Sequence, residues 1–420
     1  MKKFVKDATL LFLALRAGDA VNLAAGIWFV PRFVSQEAIG AVLPVSSFAT
    51  FLSLPLFALA MTVMKETAVL SAAGERGKIK TLLRGVFISA GAATVLTIAA
   101  AAISLPFFMH LMRIDDAAAG FLALAAALLG CAAPVWTDAL QAMKRFRALA
   151  ATEILGAAVR FSAMAAVMPV RALAGFFAGQ AALPAFRIIA GFFALREDLK
   201  TPARPFWNAT ALRRMTAAFA AILVYQGTPM FISMMELSIL RTALADADSA
   251  GYYMASRFSD LLHYLTLPIL LVMFPYTADA AARGESTKPY VVKSSVAVLC
   301  AAAAMALVYI FAGDRLLPLL PNGGNYTAYA WLMPVLTATT ALTSCQVFHT
   351  NAEVSAGRFG FLGWFLPLHM IYAASLFLAD VSGLITSLGG TVACFAAAAA
   401  ARFLLSAVHL FRAGLRNHAS

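Results

Sequence analysis

The chain has 420 residues, 62% of them hydrophobic and only 12% charged. A soluble domain carries about 25% charged residues, so composition excludes an ordinary soluble fold. The formal net charge of +12 would suggest nucleic acid in a soluble protein. Here the basic residues fall between apolar runs, where membrane topology and attraction to anionic lipids account for them, and no nucleic-acid partner is expected.

Twelve apolar runs follow one another, at approximately 8–30, 41–63, 86–109, 117–140, 149–169, 172–194, 216–241, 251–274, 291–312, 327–348, 360–379 and 386–410. About 20 apolar residues span a bilayer. Lipid offers backbone polar groups no partners, so each span is expected to be a helix. The predicted class is an all-α polytopic membrane protein with 12 transmembrane helices.

The opening MKKFVKD and the run after it imitate a secretory leader. Arg16 and Asp19 interrupt that run, and no A-x-A site with a soluble domain follows, so it reads as a retained first span. Arg16, Asp19 and Asn22 recur at i, i+3, i+6 and share one helix face. Two readings stand. The stripe faces a cavity where Arg16 meets an anionic headgroup, or Arg16 and Asp19 pair and hold the helix against a neighbour.

Lys65 and Glu66 close the second span at its basic end. Lys65 is placed to receive a phosphate there, and topology alone also explains it. In the fifth span Glu153 and Arg160 are seven residues apart and roughly share a face, with Arg160 nearer mid-membrane. Arg187 and Arg402 lie about 10 Å from one membrane surface by helix rise, within reach of snorkelling.

The segment LREDLKTPARPFWNATALRR at the chain's midpoint is charged and carries Pro202 and Pro205. It reads as a cytoplasmic linker over 195–215 between two six-helix halves, 1–194 and 216–420. Phe206 and Trp207 are candidates for the bilayer interface.

In the seventh span Glu236 stands near Arg241, and a proton or Na+ site beside water would use such a carboxylate. An ion pair with Arg241 or Arg257 serves equally. In the eighth span Arg257, Asp260 and Tyr264 share a face, with His263 beside it. Arg257 is close enough to the outer edge to snorkel. His349 and His369 are expected to be hydrogen-bonded between helices rather than proton relays. Cys131, Cys300, Cys345 and Cys394 stand singly in apolar runs without metal spacing, so no metal or cofactor is expected.

The basic residues order the spans. Twenty-two of the 32 Lys and Arg residues fall at the termini and in or at the edge of every second gap, among them Lys78, Lys144, Arg214 and Arg283. The gaps on the other side hold Arg32, Arg113, Arg171 and Arg315. Cytoplasmic loops collect Lys and Arg, so both termini are placed in the cytoplasm.

The halves also look repeated. Gly40 and Gly251 are 211 residues apart, and the span prolines Pro55 and Pro268 are 213 apart. Gly74 and Gly284, Glu75 and Glu285, and Lys78 and Lys288 are each 210 apart. With six spans per half, the repeat is predicted to be parallel, about an axis along the membrane normal.

Two stretches, RFVSQEAIGAV…VMKETAVLSAAGERGKIKTLLRG and MMELSILRTALADADSAGYYMASRFSDLLHYLTLPILLVMFPYTADAAARG, resemble the multidrug/oligosaccharidyl-lipid/polysaccharide (MOP) flippase superfamily. The resemblance is greatest to its Wzx-type polysaccharide flippases. It implies two six-helix lobes around a central cavity lined by spans one, two, seven and eight, worked by alternating access. This chain has Glu236 where many relatives place Asp.

The resemblance implies a flippase that moves a polyprenyl-pyrophosphate-linked oligosaccharide across a bacterial cytoplasmic membrane. The partners are this anionic glycolipid, membrane lipids and H+ or Na+. The candidate substrate-binding cations are Arg16, Lys65, Arg160 and Arg257; the candidate ion-coupling or gating residues are Asp19, Asn22, Glu236 and Asp260. A MATE-type H+- or Na+-coupled multidrug antiporter is the alternative, for which carboxylates and aromatics rather than arginines are expected in the cavity. A membrane-embedded glycan polymerase or ligase ranks last, because its outer loops would need to be longer. The sequence has no HExxH, Walker loop or G-x-S-x-G, and no enzymatic activity is expected.

Overall fold

A computed structural model describes residues 13, 15–21, 23–72, 74–114, 116–142, 145–197, 200, 202–283, 285–320, 323–355 and 358–416. Among these residues the regular structure is helical throughout. The first helix, α1, covers 15–21 and 23–33, with a π turn over Ala25–Phe29. The first unit then holds α2 (Gln36–Leu52), α3 (Leu54–Ala72), α4 (Arg76–Leu111), α5 (Ala117–Ala142), α6 (Phe146–Val167), α7 (Ala172–Leu195) and most of α8 (Ala209–Ala243). α9 (Asp246–Ala282), α10 (Lys288–Leu316), α11 (Leu332–Ser355), α12 (Leu362–Val381) and α13 (Leu388–Arg416) follow.

The chain is an all-α polytopic membrane protein. Among the described residues seven helices are long and apolar enough to cross a membrane, or nine if each bent pair is one span. α9 and α11, read from sequence as spans eight and ten, fall outside that number. They bury polar residues, including Thr266 and Thr277 on α9 and Thr337, Gln346 and Glu353 on α11. Buried hydroxyls are satisfied locally: Thr277 donates to the Met273 carbonyl at 3.1 Å and Thr337 to that of Met333 at 2.7 Å.

α2 and α3 meet at a 60° bend. Pro55 has no N–H to continue the helical ladder. The Ser53 carbonyl restarts it by accepting from Leu56 and Phe57 at 3.0 and 3.1 Å.

The chain divides into two compact units, Met1–Leu237 and Ser238–Ser420. In the first, α3 packs on α5 and α5 on α7, with α4 beside α3 and α6 beside α7. In the second, α9 packs on α11 and α11 on α13, with α10 against both α9 and α11 and α12 beside α13. The even-numbered spans therefore form a connected row inside each unit, and the two units use the same internal order. Small residues permit the closest approaches. A Cβ at Gly179 of α7 would lie 2.1 Å from Met164 Cγ and 2.9 Å from the Arg160 carbonyl oxygen of α6. Gly74 ends α3 with φ +72°, the left-handed conformation that glycine adopts without steric cost; Gly284, its counterpart in the repeat, lies outside the described residues.

Residues 202–207 run along the start of α4. The Arg204 N–H donates to the Gly77 carbonyl at 3.1 Å, and the Thr81 hydroxyl donates to the Arg204 carbonyl at 2.7 Å. Trp207 donates its indole N–H to the Thr81 carbonyl at 3.3 Å and lays its ring where a Gly85 side chain would otherwise stand. Phe206 is buried with Ile79, Leu82 and Val86 of α4 and Met215 of α8. Phe206, a sequence candidate for the bilayer interface, has its side chain in the core of the first unit. Asn208 then caps α8, its side-chain oxygen accepting from Ala211 N–H at 2.7 Å.

Candidate functional site

Each unit carries an arginine and an aspartate one helical turn apart inside a predicted span. On α1, Arg16 Nη1 lies 3.1 Å from Asp19 Oδ2, and the two side chains are 23% and 25% exposed. On α9, Arg257 Nη1 lies 3.0 Å from Asp260 Oδ2, with exposures of 26% and 34%. The Arg257 guanidinium also rests 4.9 Å from the centre of the Tyr253 ring. Both pairs follow from i, i+3 helical spacing alone. Asn22, the third member of the α1 stripe, lies outside the described residues.

Gly18 is the contact point between α1 and α6. A Cβ there would stand 3.8 Å from both Ala157 Cβ and the Glu153 carbonyl oxygen. The polar stripe of α1 thus runs beside the charged helix that carries Glu153 and Arg160. Glu153 is buried and forms an ion pair with Arg187 of α7. Helix rise put Arg187 within snorkelling reach of the membrane surface. It instead turns across to Glu153, since a buried carboxylate without a counter-charge is costly. Arg402 of α13 donates to the Ala398 carbonyl of its own helix at 3.2 Å, and its guanidinium lies 5.5 Å from the ring centre of Tyr372 on α12.

At the end of α3, Glu66 is buried and accepts two hydrogen bonds from Arg214 of α8, at 2.9 and 2.6 Å. The α3 helix includes Lys65, whose side chain lies outside the described residues. Glu236 lies on α8 and is half-buried. The two arginines proposed for it each have another carboxylate. Arg241 is 2% exposed and lies 2.7 Å from Asp246, and Arg257 holds Asp260. The Arg241–Asp246 pair places a cation in the last turn of α8 and an anion in the first turn of α9, as both helix dipoles favour.

The histidines differ. His369 Nδ1 lies 2.7 Å from the Phe365 carbonyl oxygen one turn earlier on α12, an intrahelical bond rather than the interhelical one expected. His349 on α11 is 2% exposed, yet neither ring nitrogen has a hydrogen-bond partner among the described residues. Its ring lies parallel to Trp364 of α12 at 6.4 Å between centroids and 5.5 Å from His409 of α13. Sequence reading took Arg214 only as a topology residue and did not single out Trp364 or His409. Their partners are distant in the chain, and no local pattern marks them.

No protein-family model matches this chain, and no curated protein sequence matches it. Solved structures do. An inward-facing multidrug-resistance MATE family transporter of the MOP superfamily is similar with a TM-score of 0.65 at 15% identity, over 94% of this chain and 95% of that one. A MOP superfamily transporter from Pyrococcus furiosus, whose binding pocket of reverse polarity suggests a different function, matches with TM-score 0.60 at 14% identity over 96% and 95%. The lipid II flippase MurJ, in an inward closed conformation, matches with TM-score 0.60 at 11% identity over 97% and 87%. At these identities the likeness establishes the fold, which is that of MOP superfamily transporters.

Proposed function

We propose that this chain is a flippase of a bacterial cytoplasmic membrane, with both termini in the cytoplasm. Its substrate is a polyprenyl-pyrophosphate-linked oligosaccharide, moved by alternating access. The observation that carries this reading is the matched pair of intramembrane ion pairs, Arg16–Asp19 and Arg257–Asp260, each partly exposed. A cation inside a span is expensive unless it faces an interior or a substrate path. Each guanidinium is partly exposed, and a pyrophosphate reaching it would accept charge-assisted hydrogen bonds. Arg160 and Lys65 are placed as further cations, and Asp19, Asn22, Glu236 and Asp260 as the groups that couple an ion or gate the path. The fold shared with the lipid II flippase is consistent with a lipid-linked cargo.

The test is glycan export in cells whose own exporter is deleted and replaced by this chain. Replacing both Arg16 and Arg257 by Ala is expected to abolish export, while Lys replacements retain part of it. Full export by the double Ala variant would sink the proposal. The likeness to a MATE transporter favours one second reading, ion-coupled drug antiport. Gradient-driven dye export by purified protein in vesicles, without glycolipid transport, would establish that reading in place of the first.

A further inference from the structure

The second unit contains a cavity of about 240 Å³ between α9 and α11. Its polar lining is His263 and Thr266 from α9 and Thr339, Thr340, Thr343 and Ser344 from α11. The threonines and serine of α11 recur at i, i+1, i+4 and i+5, so one helical face supplies four hydroxyls. Both faces lie near the middle of their helices: His263 comes 17 residues after Asp246 in a 37-residue helix. Transporter substrates bind at that depth, close to the bilayer midplane.

The hydroxyls divide into two kinds. Thr266 donates to the His263 carbonyl and Thr339 to that of Val335, each at 2.9 Å, so both present only lone pairs to the cavity. Thr340, Thr343 and Ser344 make no hydrogen bond with the described residues, and each is able to donate and accept. Apart from His263, no described lining residue has an ionisable side chain. An anion would find no cation there, and a metal ion no carboxylate. Leu270, Val347 and Phe348, with the threonine methyl groups, make most of the wall apolar, and the hydroxyls stand as separate polar points within it. The space equals that of about eight liquid waters, suited to one small ring rather than a drug-sized ligand.

We infer that this cavity binds a neutral, polyhydroxylated group, a single sugar ring of the cargo. The inference rests on the lipid-linked glycan reading above and deepens it. Asp260 and His263 are one turn apart on α9, so the rim of the cavity adjoins the Arg257–Asp260 pair. A pyrophosphate at Arg257 would bring a sugar attached to it to the mouth of the threonine cavity. Alternating donors and acceptors would replace the water around the sugar's hydroxyls, and Phe348 would meet its C–H face.

The experiment uses the full-length protein in lipid nanodiscs and two probes: a polyprenyl pyrophosphate carrying a neutral trisaccharide, and the same lipid without glycan. Wild type is expected to bind the glycosylated probe more tightly. Combining T340V, T343V and S344A removes three hydroxyls with little change of volume. It is expected to weaken the glycosylated probe at least about tenfold, the loss of several hydrogen bonds, and to leave the bare lipid unchanged. Restoring one hydroxyl, with serine in place of valine at position 343, is expected to recover part of the preference.

A triple variant that keeps the wild-type preference overturns the inference, as does an equal loss for both probes, which would indicate a structural effect. If wild type binds both probes equally, the cavity inference fails and the lipid-pyrophosphate reading stands. If wild type binds neither, the flippase reading itself fails and takes the inference with it.

Discussion

Arg214, near the start of α8, holds the buried Glu66 of α3 by two hydrogen bonds, although 148 residues separate them. The Glu66 side chain is 7% exposed and that of Arg214 57%, so the carboxylate is enclosed and the guanidinium is half in solvent. Arg214→Ala strands that carboxylate. The expected loss is about 1–2 kcal/mol, less than for a fully buried pair because solvent screens the exposed partner. Thermal unfolding of the detergent-purified protein should show Arg214→Ala melting below wild type, with Glu66→Gln added in the same chain recovering part of the loss. Equal melting of Arg214→Ala and wild type would contradict the pairing.

Glu153 and Arg187 make a stronger case, because both lie within predicted spans and their side chains are 9% and 31% exposed. Removing one partner leaves an uncompensated charge, whereas removing both does not. Arg187→Leu is expected to cost about 3 kcal/mol and the double Glu153→Leu/Arg187→Leu variant markedly less. A double-mutant cycle on unfolding midpoints reads this directly, and simple additivity would refute the pair.

Gly251 faces the ring of Tyr329, and a Cβ there would lie 2.3–2.5 Å from three ring carbons. The Tyr329 hydroxyl donates to Asp248 Oδ1 at 3.1 Å, which holds the ring in place over the start of α9. Gly251→Ala is therefore expected to destabilise by about 1–3 kcal/mol. Tyr329→Ala in the same chain should relieve much of that strain. If Gly251→Ala is neutral by itself, the close approach is not real.

His349 and His369 predict opposite outcomes for the same substitution. His369→Phe breaks the bond to the Phe365 carbonyl and is expected to cost about 1 kcal/mol. His349→Phe removes two buried nitrogens that make no hydrogen bond among the described residues and keeps an aromatic ring beside Trp364. It is expected to be neutral or stabilising by up to about 1–2 kcal/mol. Comparing the two melting temperatures tests this, and a destabilised His349→Phe would show that the ring nitrogens do have a partner.

What the sequence by itself determined is what depends on neighbours within a few turns. Apolar run length marks the spans, because lipid accepts only helices of that length. The i, i+3 spacing alone puts Arg16 with Asp19, and Arg257 with Asp260, on one helix face, because one helix sets both positions. The glycines and prolines of the two halves suggest a repeat, and each unit stacks its even-numbered spans, α3–α5–α7 and α9–α11–α13, in the same order.

The tertiary structure alone decided which distant groups meet. Glu66 with Arg214, Glu153 with Arg187, and His349 with Trp364 and His409 are chosen by which helices pack together. Helix packing depends on shape over whole faces, which no short pattern records. The same holds for Phe206, whose inward turn depends on Gly77 and Gly85 letting the strap lie close to α4. It holds too for the threonine cavity, since four hydroxyls on α11 become a site only where α9 leaves a space beside them.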